Sequence, residues 1–211
     1  MTIVHNFCES RISNFTPPEI FNAYSSLIIS GVPFYFGFPH EQSFLYVSIM
    51  FIFTGLSSFY YHYFLTNYGK QADEIPMILS VGIGFQNIIK INFKKNERNY
   101  KYFSTLNIFS MLLFIIFNTD PANDQYFPHL FTLYLLPLIY FLQINETKYN
   151  IAYKKDLLIS AIGSAAWLIS ENFCNEYTTY GHVIWHILFP IGFYKIVLNY
   201  DSYISKEKLL M

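Results

Sequence analysis

The sequence predicts an all-α membrane protein, a single domain built as a bundle of seven transmembrane helices. Of its 211 residues, 53% are hydrophobic, 21% are aromatic and only 13% are charged, which is more apolar surface than a soluble domain of this size buries. The apolar residues also fall into seven long stretches joined by short connections. Since about 17–25 apolar residues are enough to cross a bilayer, composition and spacing together predict a polytopic membrane protein.

The seven predicted spans follow one another along almost the whole chain. They cover residues 20–38, 43–66, 72–93, 101–118, 128–144, 156–174 and 180–199. Several contain a proline, which a membrane helix tolerates where neighbouring helices and side chains satisfy the freed carbonyls. No repeat, linker or soluble domain interrupts the series, so residues 1–211 are interpreted as one domain.

The charged residues predict the orientation of the bundle. Basic residues concentrate in the loop at 94–101, in the loop at 148–155 and in the C-terminal tail. By the positive-inside rule these segments face the cytoplasm. Residues 1–19 are then a non-cytoplasmic segment, and residues 200–211 are a cytoplasmic tail. The N-terminus lacks a basic region followed by an apolar stretch, so no cleaved signal peptide is expected.

Net charge and cysteine content exclude several classes of site. The formal net charge is -1, and no basic stripe of the kind that binds nucleic acid is present, so a membrane lipid is the expected partner. The two cysteines, Cys8 and Cys174, exclude a cysteine-only zinc site and a dense disulfide framework. They leave either one bridge or two free thiols.

Three histidines are predicted to meet at one end of the bundle. His62 ends the second span in GLSSFYYH, and His182 and His186 open the seventh span in GHVIWH. The last two are four residues apart, which places both imidazoles on one helical face. A single histidine is as easily a packed residue bonded to a carbonyl. Three at one predicted depth favour a metal site, because ionisable groups in a membrane are costly and tend to be functional.

Two further residues are expected beside the histidines. Three neutral imidazoles leave the fourth position of a zinc ion for water, and the zinc ion lowers the pKa of that water to about 7, so that hydroxide forms at neutral pH. Asp73, which opens the third span in ADEIPM, is placed to orient or deprotonate this water. Ser58, one turn before His62, is placed to bond a developing oxyanion. The alternative for Ser58 is a helix hydroxyl bonded to its own backbone.

Five motifs in order resemble the alkaline ceramidase family, within the larger membrane hydrolase group that includes the adiponectin and progestin receptors. The motifs are FCE with EIFN near the N-terminus, GLSSFYYH, ADEIPM, AAWLISENFC and GHVIWH, and they extend over nearly the whole chain. The resemblance implies a seven-helix bundle that holds zinc through His62, His182 and His186, with Ser58 and Asp73 beside it. It implies ceramide as the substrate, cleaved to a sphingoid base and a fatty acid.

The resemblance also implies a calcium ion next to the zinc, bound by oxygen atoms near the N-terminus. Glu9 and Glu19 match that pattern, and Phe7 would offer its carbonyl. Asn6, however, stands where the family has an aspartate, and Arg11 falls near its asparagine. Because the charge of an arginine opposes cation binding, the calcium site is expected to be incomplete.

A disulfide is the remaining expectation from the resemblance. Cys8 precedes the first span and Cys174 ends the sixth, so both are expected on the oxidising, non-cytoplasmic side, where a bridge persists. The resemblance also suggests the pair Cys8–Cys174, which would hold the N-terminal segment over the site.

Two classes of function fit these residues. In the first, water activated by zinc attacks a lipid amide that enters from the bilayer, and Asp73 passes the proton to the leaving amine. In the second, a receptor-like protein of the same fold uses zinc to tie three helices together. The receptor branch usually has a cytoplasmic N-terminus, so the predicted orientation favours the enzyme. An ester or glycolipid hydrolase of the same group shares the site, and in a eukaryotic cell the endoplasmic reticulum or Golgi is the expected location.

Overall fold

The computed structural model describes residues 7–209, except for the side chains at positions 121, 124 and 125, and all regular secondary structure in this part of the chain is helical. A short helix precedes seven long ones. The helices are α1 Cys8–Ile12, α2 Ile20–Phe36, α3 Gln42–Phe64, α4 Asn67–Asn92, α5 Glu97–Asn118, α6 Phe127–Tyr149, α7 Lys154–Asn172 and α8 Gly181–Leu209, with a 3-10 helix at Pro121–Tyr126 between α5 and α6.

Each predicted span overlaps one of the helices α2 to α8. Five of these helices, α3, α4, α5, α6 and α8, are long and apolar enough to cross a membrane. Helix α2 is also apolar and, with 17 residues, lies at the lower limit of the length that crosses a bilayer. Helix α7 carries charged residues at both ends, from Lys154 to Glu171, which lowers its mean hydropathy. The structure therefore shows an integral membrane protein with five candidate spans.

The boundary between α3 and α4 differs from the prediction, and the difference determines where Asp73 lies. Leu65 ends α3 in the left-handed conformation, with a φ of 47°. Thr66 then caps α4 at once, because its hydroxyl accepts a hydrogen bond from the N–H of Gly69 at 3.0 Å. Helix α4 thus begins at Asn67, and Asp73 lies almost two turns inside it instead of at its start. The two-residue link also brings His62 and Asp73 to the same end of the bundle.

The long helices follow one another around a ring in the order α6, α4, α3, α2, α8 and α7, and α5 packs on the outside against α4. Glycines permit the closest approach between α7 and α8. At Gly181 a side chain would collide with the backbone of Ala166, and at Gly192 it would collide with that of Asp156. By contrast, α6 and α7 scarcely contact each other. The ring is therefore open towards the surroundings between α6 and α7.

Candidate metal centre

Three histidines lie together where the end of α3 meets the start of α8. His62, His182 and His186 each offer one nitrogen, and these nitrogens all lie within 4.8 Å of one another. All three side chains are buried. Their ring centroids are separated by 5.0 Å for His62 and His182, by 5.2 Å for His62 and His186, and by 4.5 Å for His182 and His186. The i, i+4 spacing in α8 and the end of α3 thus place three imidazoles around one point.

Two of the imidazoles are held in position by a second hydrogen-bonding group. Nδ1 of His62 lies 2.6 Å from Oε2 of Glu19, and Nδ1 of His186 lies 2.9 Å from Oγ of Ser25. When Nδ1 of His62 donates to the carboxylate, the lone pair of its Nε2 is left available to a metal ion. Groups that bond the ring nitrogen facing away from a metal ion commonly orient histidine ligands.

The same two histidines show that the site fits a metal ion. Within residues 7–209, Nε2 of His62 and Nε2 of His186 are buried and have no hydrogen-bond partner. A buried polar atom without a partner costs free energy, and a bound cation would remove that cost. Imidazole nitrogens are ligands that suit zinc and several other transition metals. The donor set therefore fits a transition-metal ion.

An apolar wall encloses the third histidine. The ring of Phe7 contacts His182 edge-on at 4.3 Å between centroids, and the rings of Trp167 and Trp185 lie at 5.4 and 5.6 Å. These aromatic residues come from the N-terminal segment, from α7 and from α8. Because they exclude bulk solvent, electrostatic interactions within the site are stronger than in water.

The structure places Ser58 and Asp73 next to each other at the same end of the bundle. Ser58 lies one turn before His62 in α3 and is completely buried. Its hydroxyl is close to the Asp73 carboxylate but does not reach the geometry of a regular hydrogen bond. The side chain of Ser58 has no other hydrogen-bond partner within the described residues. The hydroxyl and the carboxylate thus lie beside each other, and Ser58 is one helical turn from His62.

The residues predicted for calcium make other contacts in the structure. Oε1 of Glu19 accepts hydrogen bonds from the N–H of Phe7 at 2.8 Å and from the hydroxyl of Ser10 at 2.6 Å. Glu19 therefore connects the N-terminal segment, residues 7–19, to His62. Asn6 lies outside the described residues.

Glu9 has a different role, at the beginning of α2. Its carboxylate accepts hydrogen bonds from the N–H groups of Phe21 at 2.8 Å and Asn22 at 2.9 Å, where a negative charge also compensates the helix dipole. Burial raises the pKa of Glu9, and the two N–H groups oppose that increase. Both carboxylates expected to bind calcium are thus already engaged by protein hydrogen bonds.

The N-terminal segment is attached to the end of α7 by two links. Cys8 and Cys174 form a disulfide across 166 residues of sequence. Arg11 forms an ion pair with Glu171 at 2.7 Å between Nη2 and Oε2. The arginine that the resemblance places near a calcium ligand therefore pairs with a carboxylate of α7, and the two links hold Phe7 against the histidines.

Sequence reasoning missed the contact between Ser25 and His186. Serine is frequent in helices and makes local bonds to its own backbone, as Ser25 also does with the carbonyl of Asn22 at 3.1 Å. Its spacing from His186 in the sequence carries no signal of the contact. The pairing depends on the packing of α2 against α8, which only the three-dimensional structure shows.

An apolar cavity of about 270 Å³ lies between α4, α6, α7 and α8, on the side where the ring is open. Its wall begins one turn after His186, and it is almost entirely hydrophobic. The lining includes Ile88, Leu135, Leu142, Leu168, Phe189 and Phe193. The cavity is suited to a hydrocarbon chain.

Comparisons with known proteins point to one family. The sequence model of the ceramidase family matches residues 2–208. The chain is similar to alkaline ceramidase 1 of Mus musculus, with 24% identity over 227 residues that include 97% of this chain and 83% of the mouse protein.

Proposed function

Since the chain belongs to the ceramidase family, we propose that it is a zinc-dependent hydrolase that cleaves ceramide within the membrane into a sphingoid base and a fatty acid. The family and the mouse relative, an alkaline ceramidase, make it a hydrolase that acts on an amide bond of a lipid. The observation that carries the metal-dependent part of the proposal is the cluster of three buried histidines, whose donor nitrogens lie within 4.8 Å of one another.

In the proposed site, His62, His182 and His186 hold the zinc ion. A zinc ion held there by three neutral imidazoles would supply a bound water with its pKa lowered to about 7, which yields hydroxide at neutral pH. Glu19 and Ser25 hold two of the imidazoles in the orientation that directs Nε2 to the metal. No calcium ion is included, because the carboxylates of Glu9 and Glu19 are engaged in other hydrogen bonds.

Asp73 and Ser58 carry the proposed chemistry of the amide. Asp73 accepts the proton of the attacking water, whose oxygen forms the new bond to the carbonyl carbon. Ser58 donates a hydrogen bond to the carbonyl oxygen as negative charge develops there. Asp73 then gives the proton to the nitrogen as the C–N bond breaks, so that the amine leaves as a neutral sphingoid base. The reaction consumes one water molecule, and the carboxylate of Asp73 is regenerated.

The lipid substrate is proposed to enter between α6 and α7. These helices scarcely contact each other, and the apolar cavity lies behind the gap between them. A hydrocarbon chain that occupies the cavity would leave its polar end near His186, because the lining residue Phe189 is one turn from this histidine. Entry from the bilayer avoids transferring two hydrocarbon chains through water.

The proposed membrane arrangement has all seven long helices crossing the bilayer as one domain. The segment 1–19 and the histidine cluster lie on the non-cytoplasmic side, and residues 200–211 form the cytoplasmic tail, of which 200–209 continue α8. The support is the basic character of the loops at 94–101 and 148–155. In a eukaryotic cell this orientation places the site in the lumen of the endoplasmic reticulum or Golgi.

The test uses the purified protein with a panel of ceramides, ester lipids and glycolipids, together with metal analysis. We expect the wild type to contain zinc and to release fatty acid from ceramide, and His186→Ala to do neither. If fatty acid were released from the ester lipid or the glycolipid but not from ceramide, the substrate would be that lipid. A protein that carries zinc and cleaves none of these lipids would support the receptor-like alternative.

A further inference from the structure

A second cavity lies at the opposite end of the bundle from the histidines. It has a volume of about 200 Å³ and is formed by the start of α3 and the ends of α4, α6 and α8. Along α4, Lys90 of this cavity lies seventeen residues after Asp73, or about 25 Å at 1.5 Å per residue. The hydrocarbon core of a bilayer is about 30 Å thick. The cavity, which we call the α4–α8 pocket, therefore lies near the polar boundary of the other leaflet.

The acidic groups of the α4–α8 pocket already have partners. Glu207 forms an ion pair with Lys94 at 3.1 Å and accepts a hydrogen bond from the hydroxyl of Tyr203 at 2.8 Å. Glu41 forms an ion pair with Lys208 at 2.6 Å. The two carboxylates are thus neutralised by two of the lysines in the pocket.

The groups that lack partners are hydrogen-bond donors. Nδ2 of Asn87 is buried and has no hydrogen-bond partner in the described chain, although the side chain lines the pocket and is only 7% exposed. Lys90 follows three residues later on the same face of α4, and its exposed side chain takes no part in the two ion pairs of the pocket, Lys94–Glu207 and Lys208–Glu41. The carbonyl of Ile91, a nearby acceptor, already receives a bond from the hydroxyl of Tyr149 at 3.3 Å.

We propose that the α4–α8 pocket binds the phosphate group of an anionic membrane lipid. The phosphate supplies acceptor oxygens to the buried amide of Asn87 and to the ammonium group of Lys90, and the net negative charge of the headgroup, which choline cancels in phosphatidylcholine, matches the one lysine in excess over the two glutamates. The apolar side chains of Ile91 and Ile204 in the same wall suit the glycerol and the first methylene groups. Basic pockets between helices at the cytoplasmic surface are suited to the headgroups of anionic lipids.

The site is separate from hydrolysis, so it is tested by binding. The thermal midpoint of the full-length protein is measured in phosphatidylcholine nanodiscs, with and without added phosphatidylserine. We expect phosphatidylserine to raise the midpoint of the wild type. Lys90→Gln should require a mole fraction of phosphatidylserine about tenfold higher, or more, for the same increase, because a hydrogen bond to a charged group is lost. Asn87→Asp, which turns the donor into an anion, should remove the effect.

The matched control is Lys101→Gln. Lys101 is an exposed lysine that pairs with Glu97 outside the pocket, so this variant should respond to phosphatidylserine as the wild type does. Lys90 is exposed, and Lys90→Gln should therefore keep the wild-type midpoint in pure phosphatidylcholine. An unchanged response of Lys90→Gln to phosphatidylserine would overturn the proposal. Inorganic phosphate that reproduces the whole effect in phosphatidylcholine alone would overturn the assignment to a lipid.

Discussion

Oε2 of Glu19 lies 2.6 Å from Nδ1 of His62, and this contact links the N-terminal segment to the metal centre. Both side chains are completely buried. The other oxygen of Glu19 accepts a hydrogen bond from the N–H of Phe7 at 2.8 Å. One carboxylate therefore orients a proposed ligand and anchors the segment that covers the site, so a change at Glu19 should act on the metal through His62.

Glu19→Gln should weaken zinc binding by about 10- to 100-fold, because the group behind a histidine ligand fixes its orientation and raises its basicity. Ser25→Ala, which removes the partner of His186, should weaken it less, since the hydroxyl carries no charge. Competition with a chelator of known affinity measures both effects. Ser26→Ala is the control, because the hydroxyl of Ser26 donates to the backbone carbonyls of Ala23 and Gly55 and not to a histidine within the described residues. Wild-type affinity in Glu19→Gln would contradict this role.

The three histidines and Asp73 should differ in their effects on metal content. His62→Ala, His182→Ala and His186→Ala should each lose both zinc and ceramide hydrolysis, because each removes one of three ligands. Asp73→Asn should retain zinc and lose most turnover, since the amide cannot accept a proton from water. Metal content and fatty acid release are measured on the same preparations, with the exposed His129→Ala as the control. Loss of zinc from Asp73→Asn would instead make Asp73 a ligand.

Ser58→Ala should lower the turnover number by on the order of a hundredfold, the usual effect of removing one donor to an oxyanion. Its neighbour Ser57 offers a matched control. The hydroxyl of Ser57 bonds to the carbonyl of Phe53 at 2.6 Å on a different face of α3, so Ser57→Ala should leave hydrolysis almost unchanged. Steady-state kinetics on a ceramide measure the turnover number of both variants. Equal turnover numbers for Ser58→Ala and the wild type would exclude the role proposed for Ser58.

The disulfide between Cys8 and Cys174 should stabilise the folded protein, because it closes a long loop in the unfolded chain. The double variant Cys8→Ser with Cys174→Ser should unfold at a midpoint lower by several degrees. Reductant should lower the midpoint of the wild type and leave that of the double variant unchanged. Thiol labelling after unfolding without reductant tests independently whether the two cysteines are bridged. Labelling of both cysteines in the wild type would show that no bridge forms in the cell.

The orientation of the bundle should place the N-terminus outside the cytoplasm and the C-terminus inside, because the basic loops and the tail share one side. Protease protection of terminal tags in sealed vesicles measures this directly. A cytoplasmic N-terminus would move the histidine cluster to the cytoplasmic side and favour the receptor-like alternative.

The amino-acid sequence was sufficient to determine which residues could share a face. A helix repeats every 3.6 residues, so the spacing of Ser58 from His62 and of His182 from His186 places each pair on one face wherever those segments are helical. The long apolar stretches likewise predicted the positions of the long helices α2 to α8, of which five are long and apolar enough to cross a membrane, since length and composition are local properties. The helix ends were predicted less accurately than the helices themselves. The last predicted span ends at residue 199, whereas α8 continues to Leu209, because no proline or glycine ends it after residue 199.

Only the tertiary structure decided which side chains from different helices meet. The contacts of Glu19 with His62 and of Ser25 with His186 join residues 43 and 161 positions apart. No local period encodes such distances, because they depend on how α2 packs between α3 and α8. The same holds for the gap between α6 and α7 and for the α4–α8 pocket, which are spaces between helices. Helix formation is governed by local spacing, whereas sites between helices are governed by side-chain packing along the whole bundle.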